Sequence, residues 1–209
     1  MSVPPPTIPT DQLAEGGWER IEETERTFLE SPIVTVASRF LLYEDRALRR
    51  AIRESVGIDQ LWRSFFASRL RLAGPITVGF GTIIDRLIRP QAMTRFVDDL
   101  EDRGFRSVRR RGSRRLQIDP CHEASAIEYD LVYPIDNSHF TDWDPTDSSQ
   151  RQLRGTAWLV IWAVDRDVLL SGGTYPKKIA AIGAPDLEPP FEPTAFRTEL
   201  FELIRAVSG

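Results

Sequence analysis

The chain has 209 residues, 41% of them hydrophobic, which is enough to bury a sizeable core and excludes a globally disordered polypeptide. Its formal net charge of −4 excludes the overall basic character of a general nucleic-acid binder. A single cysteine, Cys121, excludes an intramolecular disulfide and fits a reducing, cytoplasmic setting.

Residues 1–15 are Pro-rich and read as a disordered lead-in, without the basic and apolar segments of a signal peptide. Residues 16–209 read as one domain. Within it, Trp18–Leu29 and Ile33–Tyr43 read as strands, punctuated by Ser31-Pro32. Glu44-Asp45 opens a short helix with an apolar stripe at Leu48, Ala51 and Ile52, and Gly57 closes it. Ser64–Leu72 fits a strand better than a helix, and Ile76–Phe80 reads as another short strand. Gln91–Arg103 is a helix burying Ala92, Phe96, Val97 and Leu100, with Pro90 before it and Gly104 after it.

Ser107–Arg111 and Arg114–Ile118, joined at Gly112-Ser113, read as a β-hairpin. Ala124–Tyr133 is a strand with Ile127, Tyr129, Leu131 and Tyr133 on one face, followed by a polar loop over Asp136–Arg151. The segment TAWLVIWAV, Thr156–Val164, is apolar on both faces and therefore needs cover on both. Asp165–Asp167 turns the chain into Val168–Tyr175, and Thr194–Val207 closes it as an amphipathic helix. The order predicts an α+β fold: an antiparallel sheet with helices packed on both faces, an α/β/α sandwich. The longest apolar run is far shorter than the roughly 20 residues of a membrane span.

This layout resembles the PsbP-like fold, named for the photosystem II extrinsic protein, and is similar to the arrangement in uncharacterised haloarchaeal (archaeal) proteins. EYDLVYP (Glu128–Pro134), GTAWLVIWAVDRDVLLSGGTYP (Gly155–Pro176), FRTELFELI (Phe196–Ile204) and MTRFVDDLEDRGF (Met93–Phe105) carry the resemblance. It implies a docking or accessory role rather than catalysis. Glu44–Asp59 stands apart from that pattern as an insertion.

Three clusters carry candidate chemistry. The first is an arginine run, Arg103, Arg106, Arg109, Arg110, Arg111, Arg114 and Arg115, in a chain whose only lysines are Lys177 and Lys178. Guanidinium forks at a hairpin turn suit phosphate or carboxylate, so nucleic acid or polyphosphate is one expected partner. The competing reading is an edge kept soluble by charge. The second is the loop holding Asp136, His139, Asp142, Asp144 and Asp147, whose imidazole and carboxylates suit a divalent cation in a metal-assisted hydrolase. The same residue types also favour plain turns. The third is Cys121-His122, sequence neighbours that point to opposite sides of an extended chain and make a poor dyad. Glu128 and Asp130 share a strand face and are expected to pair with arginines across the sheet.

No phosphate-loop spacing and no nucleophile–base pairing is present, so the expectation is a non-catalytic binding or accessory domain that needs no cofactor and has a protein partner. Anion or nucleic-acid binding through residues 103–115 is the first alternative, and a hydrolase built on 136–147 the second. Oligomeric state is left open.

Overall fold

The computed structural model describes residues 2–31, 34–74, 79–135, 153–177 and 192–209. Seven strands join one sheet: β1 (Trp18–Glu30), β2 (Thr35–Asp45), β3 (Ser64–Ala73), β4 (Arg106–Gln117), β5 (Glu123–Val132), β6 (Arg154–Val164) and β7 (Asp167–Pro176). Their spatial order is β1-β2-β3-β7-β6-β5-β4, and every neighbouring pair is antiparallel. Around it lie α1 (Thr10–Glu15), α2 (Arg46–Val56), α3 (Phe80–Ile83), α4 (Arg89–Asp102) and α5 (Pro193–Arg205), with a π-helical turn at Ile84–Ile88 between α3 and α4. The fold is mixed α+β.

The doubly apolar segment becomes β6, at the heart of the sheet. Ala157, Trp158, Leu159, Val160, Ile161 and Trp162 are all buried, so neither face meets water. Its neighbour β7 is buried along its full length. Gly172 and Gly173 let β3 and β6 close on that strand from both sides. A Cβ at Gly172 would overlap the Trp158 carbonyl oxygen, and one at Gly173 the Ser64 carbonyl oxygen.

The helices dock through aromatic side chains. Phe96 of α4 meets Phe66 of β3 at 5.6 Å and Tyr129 of β5 at 5.4 Å between ring centroids. Phe201 of α5 meets Trp158 edge-on at 5.0 Å. Helix α2 starts where the Asp45 carboxylate accepts the Leu48 N–H at 2.9 Å, and it ends at Gly57 with φ 75°, a left-handed cap that a Cβ disfavours.

Four sequence expectations change. The lead-in within 1–15 is ordered: α1 forms, Val3 and Leu13 are buried, and Thr7 bridges Ser208 through paired backbone hydrogen bonds. Its anchor is the far end of the chain, which local proline content does not reveal. Ile76–Phe80 is not a strand as far as it is described, since Phe80 opens α3; residues 75–78 lie outside the described residues. The helix expected at Gln91 begins at Arg89 and carries Pro90 in its first turn. Lastly, no hairpin turns at Gly112-Ser113. The chain runs straight through as β4, and Gly112 sits at a register shift against β5. A glycine inside a strand marks a bulge, and Gly-Ser between Arg109–Arg111 and Arg114-Arg115 imitates a turn.

Candidate functional site

The register of β4 distributes the arginine run over two faces of the sheet. Arg109 and Arg114 pair with Asp130 and Ala126, which in turn pair with Thr156 and Val160, on the Trp158 face. Arg110 and Arg115 pair with Tyr129 and Ser125, on the opposite face. Arg106, at the start of the strand, pairs with Val132. The run therefore does not act as one cluster, and only part of it reaches a cavity.

That cavity, about 560 Å³, opens between β4 and the N-terminal end of α5. Its floor is Thr156, Trp158 and Tyr175; its rim carries Arg111, Arg114, Lys177 and Arg197, with one carboxylate, Glu128, among them. The Arg114 guanidinium lies 4.8 Å from the Trp158 ring centroid and 5.0 Å from that of Phe201. Arg197 approaches the same two rings, at 5.8 Å from each. Arg205 stands 5.9 Å from Phe201 and donates from Nε to the Gln117 carbonyl at 3.4 Å. Cation–π attraction to buried rings compensates part of the cost of gathering like charges.

Among the described residues neither Arg114 nor Arg197 makes an ion pair or a side-chain hydrogen bond. Desolvation beside the rings lowers the Arg114 pKa, and the Arg197 charge lowers it further. The other cations of the rim are held by carboxylates. Arg111 bonds Glu128 at 3.2 Å, and Lys177 pairs with Asp130. The expected pairing of Glu128 with an arginine across the sheet is thus present, whereas Asp130 takes the lysine. The Tyr175 hydroxyl accepts from Trp158 Nε1 at 3.3 Å, and burial raises its pKa. Arg114 and Arg197 thus stand at the open cleft with no ion pair among the described residues, the Glu128 carboxylate being held by Arg111 nearby, and their planar forks have the geometry that suits a bidentate anion.

The chain belongs to the DUF6517 family. The family model, a domain of unknown function, matches residues 5–208. Neither the curated proteins nor the solved structures contain a match. The family region therefore takes in the whole cleft, from β4 to α5, and the docked lead-in from residue 5 onward.

Asp136, His139, Asp142, Asp144 and Asp147 lie outside the described residues. Elsewhere, among the described residues, no group of three His, Cys, Asp or Glu side chains gathers as a metal would require. Cys121 is exposed and free. The His122 ring turns to Asp119, with Nδ1 2.8 Å from Oδ2, and this bond lowers the Asp119 pKa. No described helix is long and apolar enough to cross a membrane.

Sequence reasoning named Arg111 and Arg114 but missed Arg197 and Lys177. A local signal exists for Arg197, which stands four residues before Phe201 on α5 and so shares its helix face. Lys177 offers none beyond being one of two lysines.

Proposed function

We propose that this protein is a non-catalytic binding domain that recognises a carboxylate-rich segment of a partner protein through the Arg114–Arg197 cleft. The observation that carries this reading is the pair of guanidinium groups resting on Trp158 and Phe201 with no carboxylate partner among the described residues. A peptide is favoured over single-stranded nucleic acid because base recognition uses open aromatic faces. Here Trp158 and Phe201 are 2% and 5% exposed, and arginines already cover them. The net charge of −4 gives the body as a whole no attraction for either polyanion, so the contact stays local to the cleft.

The layered, PsbP-like reading of the fold belongs to the same proposal. What supports it is that Phe96 of α4 rests on Tyr129 whereas Phe201 of α5 rests on Trp158. Tyr129 registers with Ala157, the neighbour of Trp158, so those two ring systems leave the sheet in opposite directions. The accessory role is what that resemblance implies, and the cytoplasmic reading rests on the single, free Cys121.

The test is fluorescence anisotropy with a labelled Glu-rich peptide and, in parallel, a labelled thymidine oligomer. The reading expects saturable peptide binding that weakens with salt, and oligomer binding at least tenfold weaker. Tighter binding of the oligomer, or no peptide binding at low salt, contradicts it.

A further inference from the structure

A second cavity, about 60 Å³, lies between α4 and the sheet, away from the arginine cleft. Its walls include the rings of Phe28, Phe40, Phe66, Phe96 and Phe105. Protein interiors close such gaps, so space left among five phenylalanines calls for an occupant. By volume it takes about four water-sized groups. Water finds few partners there, because of the hydroxyls in the lining only that of Ser68 is not already engaged. Ser38 Oγ donates to the Arg26 carbonyl at 3.2 Å, and the Ser64 and Thr174 hydroxyls bond each other at 2.8 Å. Hydrocarbon suits the interior better.

The rim is charged. Arg26 pairs loosely with Asp99 at 3.4 Å, and Arg103 pairs with Glu22 at 2.5 Å. Arg95 differs from both. Its guanidinium lies 5.2 Å from the Phe28 ring centroid, and its Nε is shielded from solvent with no hydrogen-bond partner among the described residues. An apolar cavity of four-carbon scale thus opens beside a cation with no ion pair among the described residues.

We propose that this cavity binds a short-chain aliphatic carboxylate, its tail among the phenylalanines and its carboxylate on Arg95. Arg26 supplies a second donor by releasing its long contact with Asp99. The site is separate from the Arg114–Arg197 cleft and does not depend on it.

The experiment is an NMR titration of the full chain with pentanoate and, separately, with 1-pentanol, following the Ala92 methyl and the Phe96 ring. The proposal expects saturable shifts at both positions and binding of pentanoate about tenfold tighter than of the alcohol, the scale of one charge-assisted hydrogen bond. Arg95→Gln should bring pentanoate down to the level of the alcohol, and Ala92→Leu, which fills the cavity, should abolish both. Absence of saturable shifts, equal affinity for acid and alcohol, or unchanged pentanoate binding in Arg95→Gln overturns it. Should Ala92→Leu fail to fold, the Arg95→Gln comparison decides alone.

Discussion

At the scale of single residues, Arg63 ties together three distant parts of the chain. It is 5% exposed, donates to Asp45 and to Glu199 at 2.6 Å each, and lies between Trp18 at 4.9 Å and Phe196 at 4.2 Å. Trp18 Nε1 also donates to Glu199, at 2.9 Å. Truncation would leave the buried Asp45 carboxylate without its counter-charge, while Glu199 keeps the Trp18 bond and some water, so Arg63→Ala should cost about 3 kcal/mol in urea unfolding. A loss below about 1 kcal/mol would mean that water or a neighbour replaces the guanidinium.

Two aspartates at this scale oppose one another in their pH dependence. Burial raises the Asp45 pKa, against the opposing pull of the Leu48 N–H and Arg63. The folded chain therefore holds that proton more tightly than the unfolded one. The stability it gives is greatest in acid and falls as pH rises through the unfolded value towards the folded one. For Asp167, burial also pushes the pKa up, but hydrogen bonds from Arg71 and Arg69 outweigh it and the net shift is downward. Its contribution is complete above the ordinary carboxylate range and is lost as pH falls through the depressed folded value. Asp167→Asn should accordingly flatten the loss of stability below about pH 4, measured by denaturant unfolding across pH. An unchanged acid limb would show that the Arg69–Asp167–Arg71 cluster adds nothing to folding.

Among the elements, β7 has the tightest packing. Gly172→Ala drives a methyl group into the Trp158 carbonyl, with the Phe66 ring 2.9 Å away. Backbone cannot yield as a flexible side chain does, so the variant should lose about 3 kcal/mol or more and show it as a lowered thermal midpoint. An unaltered midpoint would mean that the strands on either side can separate.

The other telling element is β4, an edge strand with exposed arginines along it. Edge charge blocks pairing with a second sheet. Replacing Arg109, Arg110 and Arg115 together by Thr should produce concentration-dependent self-association in sedimentation velocity, and a strictly unchanged sedimentation coefficient would contradict that role. These three arginines explain themselves as edge protection, whereas Arg114 turns onto Trp158 instead. This difference was not legible in the chain. Seven arginines in close spacing look alike until Arg103 falls at the end of α4 and register assigns faces to those of β4, and the bulge at Gly112 changes that register.

At the scale of the whole molecule, what can be read from sequence is what depends on neighbours within a few residues. TAWLVIWAV announced a central strand because both its faces are apolar, and Ser64–Leu72 resolved to β3 through alternation. Asp45 and Gly57 marked the ends of α2 by local capping chemistry. Contacts between distant segments left no such trace. The docking of Thr7 on Ser208 joins the two ends of the chain, and the π-helical turn before α4 has no periodic signature. The cleft is the same case. Arg114 and Arg197 come from β4 and α5, far apart in sequence, and meet only because the strand order β7-β6-β5-β4 brings Trp158 beneath both.

The most direct test of the central claim is the affinity of a Glu-rich peptide for the wild-type chain and for Arg114→Gln/Arg197→Gln, by isothermal titration calorimetry, on samples with matching thermal midpoints. The cleft reading predicts a loss of at least tenfold, the scale expected for removing charge-assisted hydrogen bonds at a partly desolvated site, and a weaker dependence on salt. Equal affinity and an equal salt dependence in the two proteins would contradict it.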